Sequence, residues 1–361
     1  MEIKPAEIRE AFAELAFGEA QSCRGLSVVP IVGGPEPVFD YCLAAAARSR
    51  GLKVKDSGSV GQAIAENHGP KPVLIPVGTM LIGGLQNRTT NATVLVGAGE
   101  KVKIPASCVQ QGRWSPWTRT ERANPRFPWW PRREQQGEPD EPDGSDFVET
   151  AQMVTPRVKA ALLGSVRENR RQRRNYSSDQ RWVWHAVSDE LRETGARDGT
   201  SDLHAVYRQK RSFFNEAMEA FKPVENQRGA VFVYGGSAVG LEYVSRPDAW
   251  THLHNGAIQS YLSLPLRKRE EDAASHAKEI AAAFVQRVAN ATYDVAEAPG
   301  LGIDCRLIAS GIEGTVLVHA GEVVHAAYTA DPNSGSEREP QRDRGTFDVI
   351  GFPRVWPGRR R

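Results

Sequence analysis

The stretch PVLIPVGTMLIGGLQNRTTNATVLVGAGEKVKIPASCVQQGRW, residues 72–114, decides how the rest of the chain is read. Val73-Leu74-Ile75, Met80-Leu81-Ile82, Thr93-Val94-Leu95-Val96 and Val102-Lys103-Ile104 are short apolar runs, punctuated by Gly78, Gly83-Gly84 and Gly97-Ala98-Gly99. Runs this short, with glycine between them, predict consecutive strands of an antiparallel meander. A helix would need a longer stretch of 3.6-residue periodicity.

Upstream, Ile8, Phe12, Leu15 and Ala16 recur at helical spacing, which predicts an amphipathic docking helix over 5–21. Leu26 to Val32 is an unbroken apolar run closed by Gly33-Gly34-Pro35 and reads as a buried strand. Val38 to Arg50 reads as an alanine-rich helix stopped by Gly51, and Leu52 to Lys55 as a strand with one wet face. Downstream, residues 115–148 mix six prolines with charge, the mark of a mobile insertion. Helices are expected over 153–171, 178–195, 202–222, 247–264 and 273–289. Two hairpins are expected, Val231–Val244 around Gly235-Gly236 and Gly314–Ala326 around Ala320-Gly321.

These signals add up to an α+β chain with an antiparallel β-meander or sandwich-like core and packed helices. The expected segments are a docking helix (1–25), a β-rich core carrying the polar block (26–114) and the insertion (115–148). A helical segment with a hairpin (149–266), a helix with the last hairpin (267–328) and a flexible basic tail (329–361) follow.

Composition narrows the partners. The chain's 361 residues carry 46 basic and 44 acidic side chains, a net charge of +2, so no global field holds nucleic acid or an anionic membrane. Cys23, Cys42, Cys108 and Cys305 lie far apart without a Cys-x-x-Cys pair, which fits reduced cytosolic thiols. The first residues carry Glu2, Glu7, Glu10 and Glu14, unlike a signal peptide. A cytoplasmic protein is expected, with no cofactor and no metal.

The chemistry gathers in one place. Gly83-Gly84-Leu85-Gln86-Asn87-Arg88 and Ser107-Cys108-Val109-Gln110-Gln111-Gly112-Arg113-Trp114 meet at one sheet end if the strands between them form a hairpin. Gln86, Asn87, Arg88, Ser107, Cys108, Gln111, Arg113 and Trp114 are therefore the candidate ligand-binding residues. Arginines grip phosphate oxygens bidentately, amides read ribose or base edges and tryptophan stacks, so a small nucleotide-like ligand with phosphates suits the set. The alternative is that the polar groups cap strand ends while Trp114 fills core.

Other features have plainer readings. Cys108 has no histidine placed beside it and reads as a buried structural cysteine. The glycines of 78–84 and 235–240 lack phosphate-loop and dinucleotide spacing and read as turns. His252 and His254 sit two apart on a predicted helix and point to different faces, and His319 and His325 flank a hairpin as surface or half-buried residues. Arg167, Arg170, Arg171, Arg173 and Arg174 read as a solvated helix end in preference to a nucleic-acid patch. The tryptophan–arginine run at 113–133 is followed by an acidic block at Glu134 to Asp146 that would neutralise it.

With Gln86-Asn87-Arg88, Ile104-Pro105-Ala106-Ser107-Cys108 and Gln111-Gly112-Arg113-Trp114 in order, the chain resembles the ADP-ribosylglycohydrolase- and rhodanese-phosphatase-superfamily-associated protein domain family, from about Leu26 to about Leu266. Trp182-x-Trp184 and the Val231–Val244 hairpin belong to the resemblance. It implies an α+β domain in ADP-ribose or NAD metabolism and a protein partner in an ADP-ribose-processing pathway. Members carry glutamates where this chain has Thr79 and Gln110 and often a lysine where it has Leu85. Hydrolysis of a glycosidic or phosphate bond asks for a carboxylate, so their loss points to a binding protein with reduced or no catalysis. Asp146, Glu149 and Glu168 are the carboxylates left for the alternative, a hydrolase or transferase on an ADP-ribose derivative. A nucleic-acid-associated protein is a third reading.

Overall fold

Alternate residues of the strand Gly229–Tyr234 enter two different apolar clusters: Ala230, Phe232 and Tyr234 pack on one side, Val231 and Val233 on the other. Strand side chains alternate, so a strand apolar at every position sits in a sheet covered on both faces. Leu26–Ile31 behaves the same way, with Leu26 and Val28 on one side and Val29 and Ile31 on the other. The sheet they share is the backbone of the molecule.

The computed structural model describes residues 2–113, 146–149, 151–173, 175–267 and 275–330. Its strands in chain order are β1 (Glu2–Ile3), β2 (Gln21–Cys23), β3 (Leu26–Ile31), β4 (Cys42–Leu43), β5 (Leu52–Asp56), β6 (Gln62–Asn67), β7 (Val73–Ile75), β8 (Met80–Gly83) and β9 (Arg88–Thr90). They continue with β10 (Val94–Val96), β11 (Lys101–Cys108), β12 (Phe147–Glu149), β13 (Gly229–Tyr234), β14 (Ser237–Val244), β15 (Thr292–Glu297), β16 (Ile303–Ile308), β17 (Glu313–His319) and β18 (Glu322–Thr329).

Among the described residues these strands form three sheets: nine strands in the order β1-β15-β16-β17-β18-β14-β13-β3-β2, six in the order β12-β8-β9-β11-β6-β5, and three in the order β10-β7-β4. Every ladder is antiparallel except β4 with β7. The class is α+β, and β15 to β18 form an antiparallel meander.

One face of the large sheet is closed by the helices Ala6–Ala13 and Ala277–Ala289 through Ile8, Phe12, Ala281 and Val285. Against the other lie Pro156–Arg173, Gln180–Thr194, His204–Gln209, Arg211–Met218 and Pro247–Tyr261. The two smaller sheets enclose a third apolar cluster that includes Val54, Ala65, Ile75, Leu81, Val96 and Ile104. Leu74 and Leu95 of the three-stranded sheet point the other way, into the helical layer.

Within 72–114 the four apolar runs are all strands, but they do not pair in succession. β7 pairs with β10, and β8 pairs with β9, a strand in the polar run Arg88–Thr90. The expected helix over 38–50 shortens to Ala44–Ala47 and a 3₁₀ turn, because Cys42 and Leu43 pair with β7. Helix propensity gives way there to a ladder partner. The insertion expected at 115–148 and the tail after 330 lie largely outside the described residues.

Candidate functional site

β8 turns into β9 through Gly83 and Gly84, both at positive φ (119° and 54°). A side chain on Gly84 would also collide, since an added Cβ would sit 2.8 Å from Asp56 Oδ2 and 3.0 Å from the Phe147 ring. Only glycine fits there. β9 then runs antiparallel to β11, with Cys108 opposite Arg88, so the second half of the polar block returns to the first.

Arg88 is fully buried. Its Nη2 donates to both oxygens of Asp56, at 2.8 and 2.9 Å, and its Nη1 donates to the carbonyls of Ser59 and Gln62 at 2.7 and 2.5 Å. Asp56 in turn accepts the backbone N–H groups of Gly58 and Leu85, both at 2.9 Å. This is a buried ion pair under the glycine turn in which one guanidinium nitrogen bridges both carboxylate oxygens. Its donors face the protein.

Arg113 approaches the same turn from the other side. Nη1 donates to Gly84 O at 2.7 Å, Nη2 to Gly83 O at 3.0 Å and to Asn87 Oδ1 at 3.2 Å, and Nε to Gln110 Oε1 at 2.8 Å. Asn87 accepts Gly83 N–H at 2.9 Å and donates to Asp202 Oδ1 at 3.0 Å. Gln86 donates to Gln110 O at 3.0 Å and accepts the Cys108 thiol at 2.8 Å. Ser107 donates to Asn91 Oδ1 at 2.7 Å and shares a hydrogen bond with Ser178. Gln111 is exposed beside Gly112, its carbonyl 3.4 Å from Gln86 Nε2.

Seven of the eight candidate residues thus converge on one turn, and Trp114 lies outside the described residues. Burial lifts the Cys108 thiol to about 11, against a smaller opposing pull from Arg88, so it is a protonated donor at neutral pH. His68, the nearest histidine in sequence, is exposed and lies 3.7 Å from Glu66.

Two carboxylates belong to the block, Asp56 and Asp202, and the sequence reading missed both. They come from 32 and 115 positions away in the chain, where no local pattern marks them. Asp202 forms a β-bridge with Gln110, accepts His204 N–H at 3.1 Å and stands 3.8 Å from Arg208. Burial, opposed mainly by the Asn87 hydrogen bond, raises its pKa. Of the carboxylates considered earlier, Asp146 receives the Gly84 N–H on its carbonyl, Glu168 accepts from Gln172, and the side chain of Glu149 is outside the described set. Thr79 donates to Pro76 O at 2.8 Å, and Gln110 donates to Thr200 at 2.8 Å.

The remaining histidines and arginines settle as follows. His254 is buried on the helix Pro247–Tyr261 with Asn255 at 3.0 Å, while His252 is exposed. His325 is not a surface residue: it is fully buried on β18 and hydrogen-bonded to Thr93 at 2.9 Å, because β18 lies between β17 and β14 inside the large sheet. Arg167 pairs with Glu313 at 2.9 Å and Arg170 with Asp294 at 3.4 Å, at the edge of a groove of about 810 Å³. Among the described residues no cluster of three or more histidine, cysteine or acidic side chains could hold a metal, and no helix is long and apolar enough to cross a membrane.

A cavity of about 360 Å³ lies beyond Asp202, between the helices His204–Gln209, Arg211–Met218 and Pro247–Tyr261.

The molecule is therefore an α+β domain built around an internally bonded glycine–amide–arginine turn. The chain belongs to the ARG and Rhodanese-Phosphatase-superfamily-associated Protein (ARPP-1) domain family, whose model matches residues 14–329. That span exceeds the 26–266 suggested by the sequence motifs and takes in the C-terminal meander. The family's name links it to ADP-ribosylglycohydrolase and rhodanese-phosphatase neighbours. No curated protein and no solved structure matches the chain.

Proposed function

We propose that this chain binds a phosphate-bearing, nucleotide-like ligand of the ADP-ribose class at the Gly83–Arg113 block, and binds it without efficient turnover. The supporting observation is the setting of Arg113. Its plane is fixed by two glycine carbonyls and two amide oxygens, yet it is only part-buried and stands beside the exposed Gln111 and Gly112. A guanidinium held flat in this way is pre-organised and loses little further entropy when a ligand reaches it. Gln86, Asn87, Arg88, Ser107 and Cys108 form the frame that holds it. The absence of turnover rests on Thr79 and Gln110, neutral where the family resemblance places acids and both already hydrogen-bonded.

Asp202 favours a second reading, hydrolysis or transfer on an ADP-ribose derivative. A buried carboxylate with a raised pKa, touching Asn87 and backing Gln110, has the character of a general acid.

Thermal unfolding with ADP-ribose, NAD and AMP, alongside a product assay, tests both. A bound ligand at about 100 times its Kd adds about 2.7 kcal/mol of stability. Arg113→Ala is expected to weaken binding at least tenfold and Arg113→Lys to rescue it only in part. Stabilisation by none of the three ligands overturns the proposal. Turnover that disappears in Asp202→Asn transfers the conclusion to the second reading.

A further inference from the structure

The 360 Å³ cavity has a lining unlike the motif block: Gln152, His204, Tyr207, Arg208, Arg211, Phe214, Asn215 and Gln259. It carries two guanidinium groups and three carboxamides, and none of the eight lining residues is acidic. The fold places them deliberately. The helix Pro247–Tyr261 crosses the segment before Pro156 at Gly256, where an added Cβ would lie 2.2 Å from Ala151 O. That close approach brings Gln259, one turn further along the helix, to the same cavity as Gln152. Tyr207 and Phe214 stack at 5.3 Å and 27° to make an apolar floor, with Tyr207 Oη donating to Met153 O at 2.6 Å.

What distinguishes the lining is how little of it the protein uses. Gln152 Oε1 is buried without a hydrogen-bond partner. Among the described residues no hydrogen bond or ion pair engages the side chains of Arg211, Asn215 or Gln259. Arg208 lines the cavity while its Nη2 is held by Asp198 at 3.1 Å and stands 3.8 Å from Asp202, and no other nitrogen of its guanidinium has a hydrogen bond among the described residues. In the motif block nearly every donor has a protein acceptor. Here the donors converge on space.

We infer that this cavity is a binding site for a small phosphate monoester carrying a polyol, a ligand of sugar-phosphate size. Arg211 and Arg208 take the oxyanion as charge-assisted donors, and the carboxamides of Gln152, Asn215 and Gln259 pair with hydroxyl groups. The tyrosine–phenylalanine floor receives the carbon face of the sugar. The volume lies near the lower end of the range for ligand sites, which suits one sugar and one phosphate better than a dinucleotide. A cation is disfavoured because no lining residue is acidic and Arg211 has no carboxylate partner among the described residues, although Arg208 is paired with Asp198.

The test is calorimetric titration of the full chain with ribose 5-phosphate, inorganic phosphate and ribose at low and physiological salt. Ribose 5-phosphate is expected to bind at least tenfold tighter than phosphate, and ribose not measurably. Arg211→Ala is exposed and should fold normally, so it is expected to lose at least tenfold for both phosphates. Gln259→Leu is expected to weaken ribose 5-phosphate while sparing inorganic phosphate. Arg192→Ala, a surface arginine on another helix, serves as the control. Absence of binding by both phosphates, undiminished binding in Arg211→Ala, or an equal loss in Arg192→Ala overturns the inference. Arg211 and Gln259 lie outside the Gly83–Arg113 block, so the outcome is independent of the function proposed there.

Discussion

Replacing Arg88 by methionine should destabilise the protein more than any loss of ligand contact would require. The substitution keeps a long apolar stem in the space but removes both bonds to Asp56, whose side chain is 1% exposed. Asp56 would retain only the N–H groups of Gly58 and Leu85. Breaking one member of a buried pair costs about 3–5 kcal/mol, because the surviving charge stays desolvated. For a chain of this length about 2 °C accompanies each kcal/mol, so the thermal midpoint should fall by roughly 6–10 °C. The carbonyls of Ser59 and Gln62 lie near the surface and water can replace the lost donors, so they add little. The informative variant is the double substitution Arg88→Met with Asp56→Asn. Asparagine carries no charge and keeps an acceptor for one of the two N–H groups, which reach different carboxylate oxygens, so part of the loss should return. Urea unfolding of the wild type, the single and the double variants measures this directly. A single variant within about 1 kcal/mol of the wild type, or a double variant no more stable than the single, would refute the assignment of Arg88 as a desolvated structural pair.

Two further outcomes follow from the core. Burial holds His325 neutral, with its pKa lowered to about 3, while the unfolded chain protonates it near the ordinary value of about 6.5. The unfolded state therefore binds the extra proton between these values, and stability is lost as pH falls through that window. His325→Leu should flatten the stability-against-pH curve there by up to about 1.4 kcal/mol per pH unit, as read by urea titrations from pH 4 to 7. Gly240→Ala should cost about 1–3 kcal/mol by overpacking, because the new Cβ would sit 2.0 Å from Tyr261 Oη while that ring is held against Phe232 at 3.7 Å; an unchanged denaturation midpoint counts against it.

The legible parts of the fold were those where one local rule acts alone. Gly235-Gly236 between two apolar runs marks the β13–β14 hairpin, and Gly321 after Ala320 marks β17–β18, because glycine takes positive φ in a tight turn without steric cost. β15 and β16 were illegible for the opposite reason. Asp304 and Arg306 interrupt the apolar pattern of Ile303–Ile308, yet both are buried and bonded to each other at 2.8 Å, so the strand hides as a polar segment. Arg88–Thr90 was hidden likewise, inside the motif itself. The convergence of the two halves of the block could be anticipated from turn residues. That Arg88 and Asn87 would meet Asp56 and Asp202 could not, since those partners are set by the tertiary path of the chain.

The pairing of β3 with β13, and of β1 with β15, has a consequence for the birth of the molecule. Val28 of β3 meets Phe232, and Glu2 meets Asp294, so during synthesis these strands wait for partners 204 and 292 positions further along the chain. At about 5–20 residues per second the wait of β3 lasts roughly 10–40 seconds. Throughout it Leu26–Ile31 has only β2 beside it, and its other edge stays open, the kind of apolar edge that neighbouring nascent chains would adopt. Pro30 sits within this strand and cannot donate to a ladder, which makes the run a poor template for a second copy while leaving its native register with Ala230 intact. Holding factors that shield Leu26–Ile31 until Gly229–Tyr234 is made should therefore raise the yield of this protein in a cell.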